Sequence, residues 1–172
     1  RIFISGQKRG VFGKIKLENE LKEALERKTL EVRYQPLYDM PAGRITGYEA
    51  LIRWTHAERG AVSPAEFIAL AEETSLINPV GRYVFARVCE TLAELRDRGL
   101  RELPFVAVNV SGRQLEGDTL LAQLLETARL AAHRAVSLFP GPGDVGSGLG
   151  ASGAGKTTTM KVVIGLREPD YG

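Results

Sequence analysis

The spacing of hydrophobic residues changes several times between residues 16 and 134, and each change predicts a different element. Apolar residues first recur at helical spacing, which predicts an amphipathic helix that ends near residue 28 and carries Leu17, Leu21, Ala24 and Leu25 on one face. Residues 1–15 show no clear period and are expected to form an irregular lead-in. The stretches 30–38 and 45–54 alternate apolar and polar residues, which predicts two strands joined by the turn residues DMPAGR.

Two further helices are predicted from their starting and stopping signals. The stretch SPAEFIALAEE offers Ser63 as N-cap, Pro64 at the first helical position and Glu66 to complete a capping box. The next helix is expected to begin with Asn78 as its cap and to stop at Gly99. Both predictions depend on residue types that satisfy the unpaired backbone groups at helix ends.

The stretch FVAVNV at residues 105–110 is almost continuously apolar, which is typical of a parallel strand covered on both faces. A further helix is predicted at residues 118–132. Strands that alternate with helices indicate an α/β fold with parallel pairing. Cys89 lies within the preceding helix, where a buried small hydrophobic residue is the expected role.

The character of the chain changes after about residue 134. Residues 135–149 are rich in glycine and proline and are expected to form a linker rather than a strand. A last helix is predicted from Lys156 to about Ile164.

Composition and charge exclude several classes of protein. Hydrophobic residues make up 44% and charged residues 26% of the 172 residues, which is a globular mixture. A formal net charge of +2 gives no electrostatic reason to expect a nucleic acid polymer or a membrane surface as partner. No apolar run approaches the roughly 20 residues that span a bilayer. One cysteine cannot form an internal disulfide, which favours a reducing compartment.

Chemistry is indicated on the second predicted strand and at the end of the apolar strand. Glu49, Leu51 and Arg53 share one strand face, and Asn109 lies near the carboxyl end of its strand. Carboxylate and amide oxygens suit Mg²⁺ or Mn²⁺, and a guanidinium suits a phosphate. The set therefore suggests metal-assisted chemistry on a phosphate ester, with a solvent-facing edge and a weak Glu49–Arg53 ion pair as the alternative.

The stretches RYQPLYD, GRITGYEALIRWTHAERG and AVNVSGRQL, with Glu49-Ala50-Leu51 as the naming motif, resemble the N-terminal half of an EAL domain over residues 16–134. This bacterial family of cyclic-di-GMP phosphodiesterases has a modified (β/α)₈ barrel. The resemblance implies a cytoplasmic protein whose family hydrolyses cyclic-di-GMP to pGpG with two Mg²⁺ or Mn²⁺ ions. It also implies that Glu49 and Asn109 are metal ligands and that Gln35, Leu51 and Arg53 contact the dinucleotide.

The sequence also departs from the EAL pattern. After residue 117 the family's acidic motifs and its lysine strand do not appear, so no catalytic set is complete. We expect an incomplete barrel of about three strands with their helices, since a closed barrel takes about 250 residues. Open sheet edges would favour self-association. His56 and His133 are assigned no chemistry.

A second resemblance begins at the phosphate-binding pattern GASGAGKTTT. Backbone N–H groups of such a loop wrap a phosphate, and the expected contacts come from Gly150, Gly153, Gly155, Lys156, Thr157 and Thr158. Residues 148–172 resemble the start of an ABC-transporter ATPase, which implies ATP at a fragment spanning residues 150–172. The segment GPGDVGSG before the loop carries one apolar residue and is a poor buried strand, so we expect no productive hydrolysis.

Three hypotheses for function follow. The first is an EAL-family phosphodiesterase, represented by a catalytically incomplete part of its domain. The second is an ATP-binding subunit of an ABC transporter. The third is a non-catalytic module that binds cyclic-di-GMP or a partner protein. The simplest account of the two resemblances is a chimera joined within residues 134–149.

Overall fold

The computed structural model describes residues 4–100, 103–115, 136–139 and 159–166, with side chains for residues 13–100 and 103–114. Its elements are α1 (Ile4–Glu26), β1 (Glu31–Asp39), β2 (Arg44–His56), β3 (Gly60–Val62), α2 (Pro64–Glu73), α3 (Ile77–Asp97), β4 (Phe105–Ser111), a short 3₁₀ helix (Gly112–Leu115), β5 (Val136–Phe139) and β6 (Thr159–Leu166). The chain divides into two compact units. The first comprises Arg1–Glu31 and Ile52–Val80, and the second comprises Val32–Leu51 and Gly81–Gly172.

The first unit packs α1 against α2 and carries the antiparallel pairing of the end of β2 with β3. Phe67 is fully buried, and its ring meets Trp54 edge-on with the centroids 5.8 Å apart. The Lys14 ammonium pairs with the Glu73 carboxylate between the two helices. The core of this unit is apolar throughout and comprises Leu17, Leu21, Ala24, Leu30, Trp54, Val62, Phe67, Leu70, Ala71, Leu76, Ile77 and Val80.

The second unit contains a sheet with the strand order β1-β2-β4-β6-β5. Strands β2 and β4 are parallel, with Gly47 opposite Phe105 and Ala50 opposite Val108. Strand β6 is antiparallel to both β4 and β5. The part of α3 in this unit buries Val84, Phe85, Val88, Cys89 and Leu92, and its Thr91 hydroxyl accepts the Tyr34 hydroxyl of β1 at 2.9 Å. This parallel pair of strands is what brings the candidate site residues onto neighbouring strands.

Several sequence predictions are confirmed. The apolar run at residues 105–110 forms β4, and its parallel pairing with β2 agrees with an α/β fold. Helix α2 begins at Pro64 after Ser63, although the Ser63 side chain makes no capping hydrogen bond. The Ser63 carbonyl instead accepts the N–H groups of Glu66 and Phe67. Gly99 ends its helix with φ of +89°, a conformation that glycine adopts at low cost.

Two predictions about helix starts are wrong. The lead-in expected over residues 1–15 is helical from Ile4, because a helix that has formed extends at the cost of one residue for each new hydrogen bond. Asn78 is not an N-cap, since α3 begins at Ile77 and the Val80 N–H already donates to the Leu76 carbonyl at 2.9 Å. Pro79 then lies in the first turn of α3, where backbone N–H groups have no intrahelical acceptor, so the lack of an N–H in proline costs no hydrogen bond.

The predicted helix from Lys156 to Ile164 is also wrong, because Thr159–Leu166 is strand β6. Its run of Val162, Val163 and Ile164 is β-branched and therefore suits a strand, and the segment pairs with β4 from Ser111 to Val106. A short strand, β5, occupies part of the expected linker. The helix predicted at residues 118–132 lies outside the described residues. Within the described chain, no helix is long and apolar enough to cross a membrane.

Candidate functional site

The centre of the candidate site is a hydrogen bond between two neighbouring parallel strands. Glu49 on β2 lies opposite Ala107 on β4, and Asn109 follows two residues later on the same strand face. The Asn109 Nδ2 donates to the Glu49 Oε1 at 2.7 Å. Since the bond uses the amide nitrogen, the Asn109 carbonyl oxygen remains outside it. The predicted convergence of these two side chains is therefore present in the structure.

The pair is accessible to solvent. Asn109 is exposed and Glu49 is half-buried, although Ala107 and Ser111, on the same face of β4, are only 3% and 6% exposed. A small polar ligand can therefore reach the pair at one point of an otherwise buried strand. A carboxylate and a neighbouring side-chain amide both carry oxygen atoms that can bind a hard cation such as Mg²⁺.

The other predicted contacts are less tightly defined. Gln35 is exposed on β1, and Leu51 is half-buried on β2, two residues after Glu49. Both residues belong to the second unit, which also contains Glu49 and Asn109. Arg53 belongs to the first unit, where its Nη1 donates to the Ile52 carbonyl at 2.9 Å. Glu49 and Asn109 are the two predicted residues that a hydrogen bond joins.

His56, which was assigned no chemistry, has a structural role. Its Nδ1 accepts the backbone N–H groups of Glu58 at 3.1 Å and Arg59 at 3.2 Å. The proton of the neutral ring therefore lies on Nε2, which is 3.3 Å from the Glu20 Oε2 in a contact that is not a well-aligned hydrogen bond. His56 thus organises the turn between β2 and β3, and no local motif signals its partner on α1.

Cys89 is not a nucleophile in this fold. Its side chain is fully buried in α3, as predicted, and burial raises the pKa of the thiol from 9.0 to about 12, with a smaller contribution from the Glu90 charge. Because the thiolate is the reactive form, the thiol is inert at neutral pH.

A cavity of about 440 Å³ lies elsewhere, between α1 and α2 in the first unit, and its walls include Leu17, Arg59 and Leu70. None of the predicted site residues lines it. In the described part of the chain, no group of three or more His, Cys, Asp or Glu side chains could hold a metal ion. The phosphate contacts predicted at residues 150–158 lie outside the described residues.

Comparisons with known proteins identify the family of the chain. The EAL domain family model matches residues 18–138. The chain is 39% identical over 123 residues to the cyclic di-GMP phosphodiesterase PdeR of Escherichia coli. This match covers 72% of the chain and 18% of that protein. It is 41% identical over 97 residues to the cyclic di-GMP phosphodiesterase PA2567 of Pseudomonas aeruginosa, which covers 56% of this chain and 16% of that protein.

Solved structures give the same result. The PaMucR phosphodiesterase in complex with c-di-GMP superposes with a TM-score of 0.61 at 34% identity, covering 67% of this chain and 47% of that one. The EAL enzyme Bd1971 in its cGMP-bound form superposes with a TM-score of 0.62 at 30% identity, and the match covers 73% of this chain and 36% of that one. The chain spans less than a fifth of the length of the two curated relatives named above. With the family model matched over well more than half of its residues, the chain belongs to the EAL domain family.

Proposed function

We propose that this chain is part of a cyclic-di-GMP phosphodiesterase and that it binds the dinucleotide through a divalent cation held by Glu49 and Asn109. The observation that carries the proposal is the 2.7 Å hydrogen bond that joins these two side chains across β2 and β4. It supports a shared ligand because both groups present oxygen atoms at one accessible point of the sheet. The named relatives and the c-di-GMP complex of PaMucR support the identity of the ligand.

The residues present fit Mg²⁺ or Mn²⁺, because both cations prefer oxygen donors and Glu49 supplies negative charge. A bound cation would neutralise charge on a phosphate oxygen and make the phosphorus easier for water to attack. Glu49 and Asn109 would hold it. Arg53 would bind a phosphate through its planar guanidinium, and Gln35 and Leu51 would contact the dinucleotide.

Hydrolysis to pGpG needs more than this pair. Water must attack one phosphorus and displace one ribose oxygen, and in this family two cations assist that step. The described residues supply one carboxylate and one amide at the candidate site, with no group of three acidic, histidine or cysteine side chains that could hold a metal. We therefore expect this chain to bind cyclic-di-GMP and not to hydrolyse it. This expectation combines the hypothesis of an incomplete EAL phosphodiesterase with that of a non-catalytic module that binds cyclic-di-GMP.

The test is calorimetric titration of the 172-residue chain with cyclic-di-GMP in Mg²⁺, in Mn²⁺ and in EDTA, with chromatography to detect pGpG. Glu49→Gln keeps an oxygen that can accept from Asn109 but removes the charge, so it should abolish the metal-dependent part of the affinity. Glu94→Gln, on α3, is the matched control and should change nothing. Affinity that is equal in EDTA, or that survives Glu49→Gln, would refute the proposal.

The transporter hypothesis has less support. It needs a helix directly after Lys156, whereas the described backbone from Thr159 is the strand β6. It predicts that ATP with Mg²⁺ raises the melting temperature and that Lys156→Ala removes the effect. A ligand at 100 times its Kd stabilises a folded protein by about 2.7 kcal/mol, so such binding would be easy to detect.

A further inference from the structure

The side chain of Gln114 holds the end of β4, close to Asn109. Gln114 is 6% exposed, and its Oε1 accepts the backbone N–H of Ser111 at 2.9 Å. Ser111 is the last residue of β4 and is itself 6% exposed. The Ser111 hydroxyl accepts the backbone N–H of Arg113 at 3.4 Å, which closes the turn into the 3₁₀ helix. A buried polar side chain thus fixes the strand end two residues after Asn109.

Strand β4 loses one of its two neighbouring strands at this point. The pairing of β4 with β2 runs from Phe105 to Val108, so Asn109 and the residues after it extend beyond that parallel ladder. The side-chain contact between Asn109 and Glu49 therefore depends on the direction in which β4 continues. Strand β6 stays paired with β4 as far as Ser111, and Gln114 holds the strand end in addition to that ladder, through the Ser111 N–H.

Helix α3 completes the arrangement through Gly81. A Cβ atom placed on Gly81 would lie 2.0 Å from the Gln114 Nε2 and 3.2 Å from its Cδ, well inside van der Waals contact. Glycine at this position is therefore what allows the Gln114 amide to lie against α3. Since all the clashing atoms belong to the end of the Gln114 side chain, a methyl group at residue 81 would displace that amide and little else.

We propose that Gln114 is a positioning residue for Asn109 and that Gly81 provides the space in which it acts. Gln114 touches neither the ligand nor the metal. It holds the end of β4 so that the Asn109 amide meets Glu49, and this role rests on the proposed function of that pair. Groups that orient a metal ligand typically change metal affinity by about 10–100-fold when they are removed.

The test uses Gln114→Met, which keeps the approximate size and removes the acceptor, and Gly81→Ala, which keeps Gln114 and displaces it. Both should weaken Mn²⁺-dependent binding of cyclic-di-GMP by about 10–100-fold. Gly81→Ala should change the melting temperature little, because the gain in helix propensity offsets the lost hydrogen bond between Gln114 and Ser111. The double variant should be no weaker than Gln114→Met, because the two changes act through one group. Gly13→Ala, in α1 with no atom within 4 Å of its Cβ, is the matched control and should leave affinity unchanged.

A second readout does not require the ligand. The side-chain NH₂ resonances of Asn109, assigned by their loss in Asn109→Ala, report its bond to Glu49 in the free protein. Both Gly81→Ala and Gln114→Met should shift them. Unshifted resonances in both variants, or a lower melting temperature with unchanged affinity, would overturn the positioning role. If the resonances shift but the wild-type chain binds no cyclic-di-GMP, the positioning role stands and the proposed function fails.

Discussion

Replacing Asn109 by aspartate would put a second carboxylate where the amide now donates to Glu49. The present contact is a 2.7 Å hydrogen bond, and after the change both groups are acceptors with the same charge. A divalent cation would then become the natural partner of the pair. Asn109→Asp should therefore destabilise the free protein and make its stability depend on Mg²⁺ or Mn²⁺.

The size of the effect follows from the geometry. Loss of one hydrogen bond costs about 0.5–1.5 kcal/mol. Two unit charges about 4 Å apart repel by about 1 kcal/mol in bulk water and by about 4 kcal/mol near a protein surface. Because Asn109 is exposed, the repulsion belongs to the lower part of that range, and we expect a total loss of about 2–3 kcal/mol at low salt. Asn109→Ala, which adds no charge, should lose only the hydrogen bond.

Urea unfolding of the wild type and the two variants, with and without millimolar Mg²⁺, measures each term. The cation should restore most of the stability of Asn109→Asp and none of that of Asn109→Ala. Added monovalent salt should restore part of it by screening. If Asn109→Asp is no less stable than Asn109→Ala, or gains nothing from Mg²⁺, the two side chains do not form a cation site.

Three further predictions concern the fold. Burial raises the pKa of the Cys89 thiol from 9.0 to about 12, so between these pH values the folded state keeps a proton that the unfolded state loses. The free energy of unfolding, measured relative to Cys89→Ala, should therefore be constant below pH 9 and fall between pH 9 and about 12. The fall is about 1.4 kcal/mol per pH unit, and a difference between the two urea midpoints that stays constant from pH 8 to pH 10 would contradict it. Gly47→Ala would place a Cβ 2.4 Å from the Phe105 ring and should cost about 1 kcal/mol in urea unfolding, the overpacking exceeding the gain from replacing glycine. A cost of the same size in a Phe105→Leu background would show that the ring is not responsible. His56→Ala removes the acceptor of two backbone N–H groups and the neighbour of Glu20, and should cost about 2 kcal/mol in thermal unfolding, whereas an unchanged melting temperature would mean that the turn holds itself.

The part of the fold that sequence could predict is the part decided by local pattern. The alternation along β2 and the apolar run of β4 each specify a strand, and a helical segment between two strands favours a parallel crossover. Once these strands are neighbours, Glu49 and Asn109 have to approach each other, because both lie on one face near the same point of the sheet. The centre of the candidate site is therefore a consequence of short-range pattern.

What could not be predicted depends on packing between distant segments. Gln114 carries no motif that pairs it with Gly81, and the contact exists only because α3 crosses the end of β4 at that glycine. The same holds for His56 and Glu20. Periodicity also fails where an apolar run is short, because a stretch such as Lys161–Ile164 fits a helix or a strand equally well until a neighbouring strand is present.

The pairing of β6 with β4 is incompatible with a working phosphate-binding loop at residues 150–158. A P-loop binds phosphate with the N-terminus of the helix that follows its lysine, so the residues after Thr158 would have to be helical. The structure instead pairs Thr159–Leu166 with β4 and places Lys161 opposite Asn109. One backbone cannot donate its N–H groups both along a helix and across a ladder. Forming the helix would therefore separate β6 from β4 and expose the strand that carries Asn109, so a working P-loop would disturb the proposed Glu49–Asn109 site.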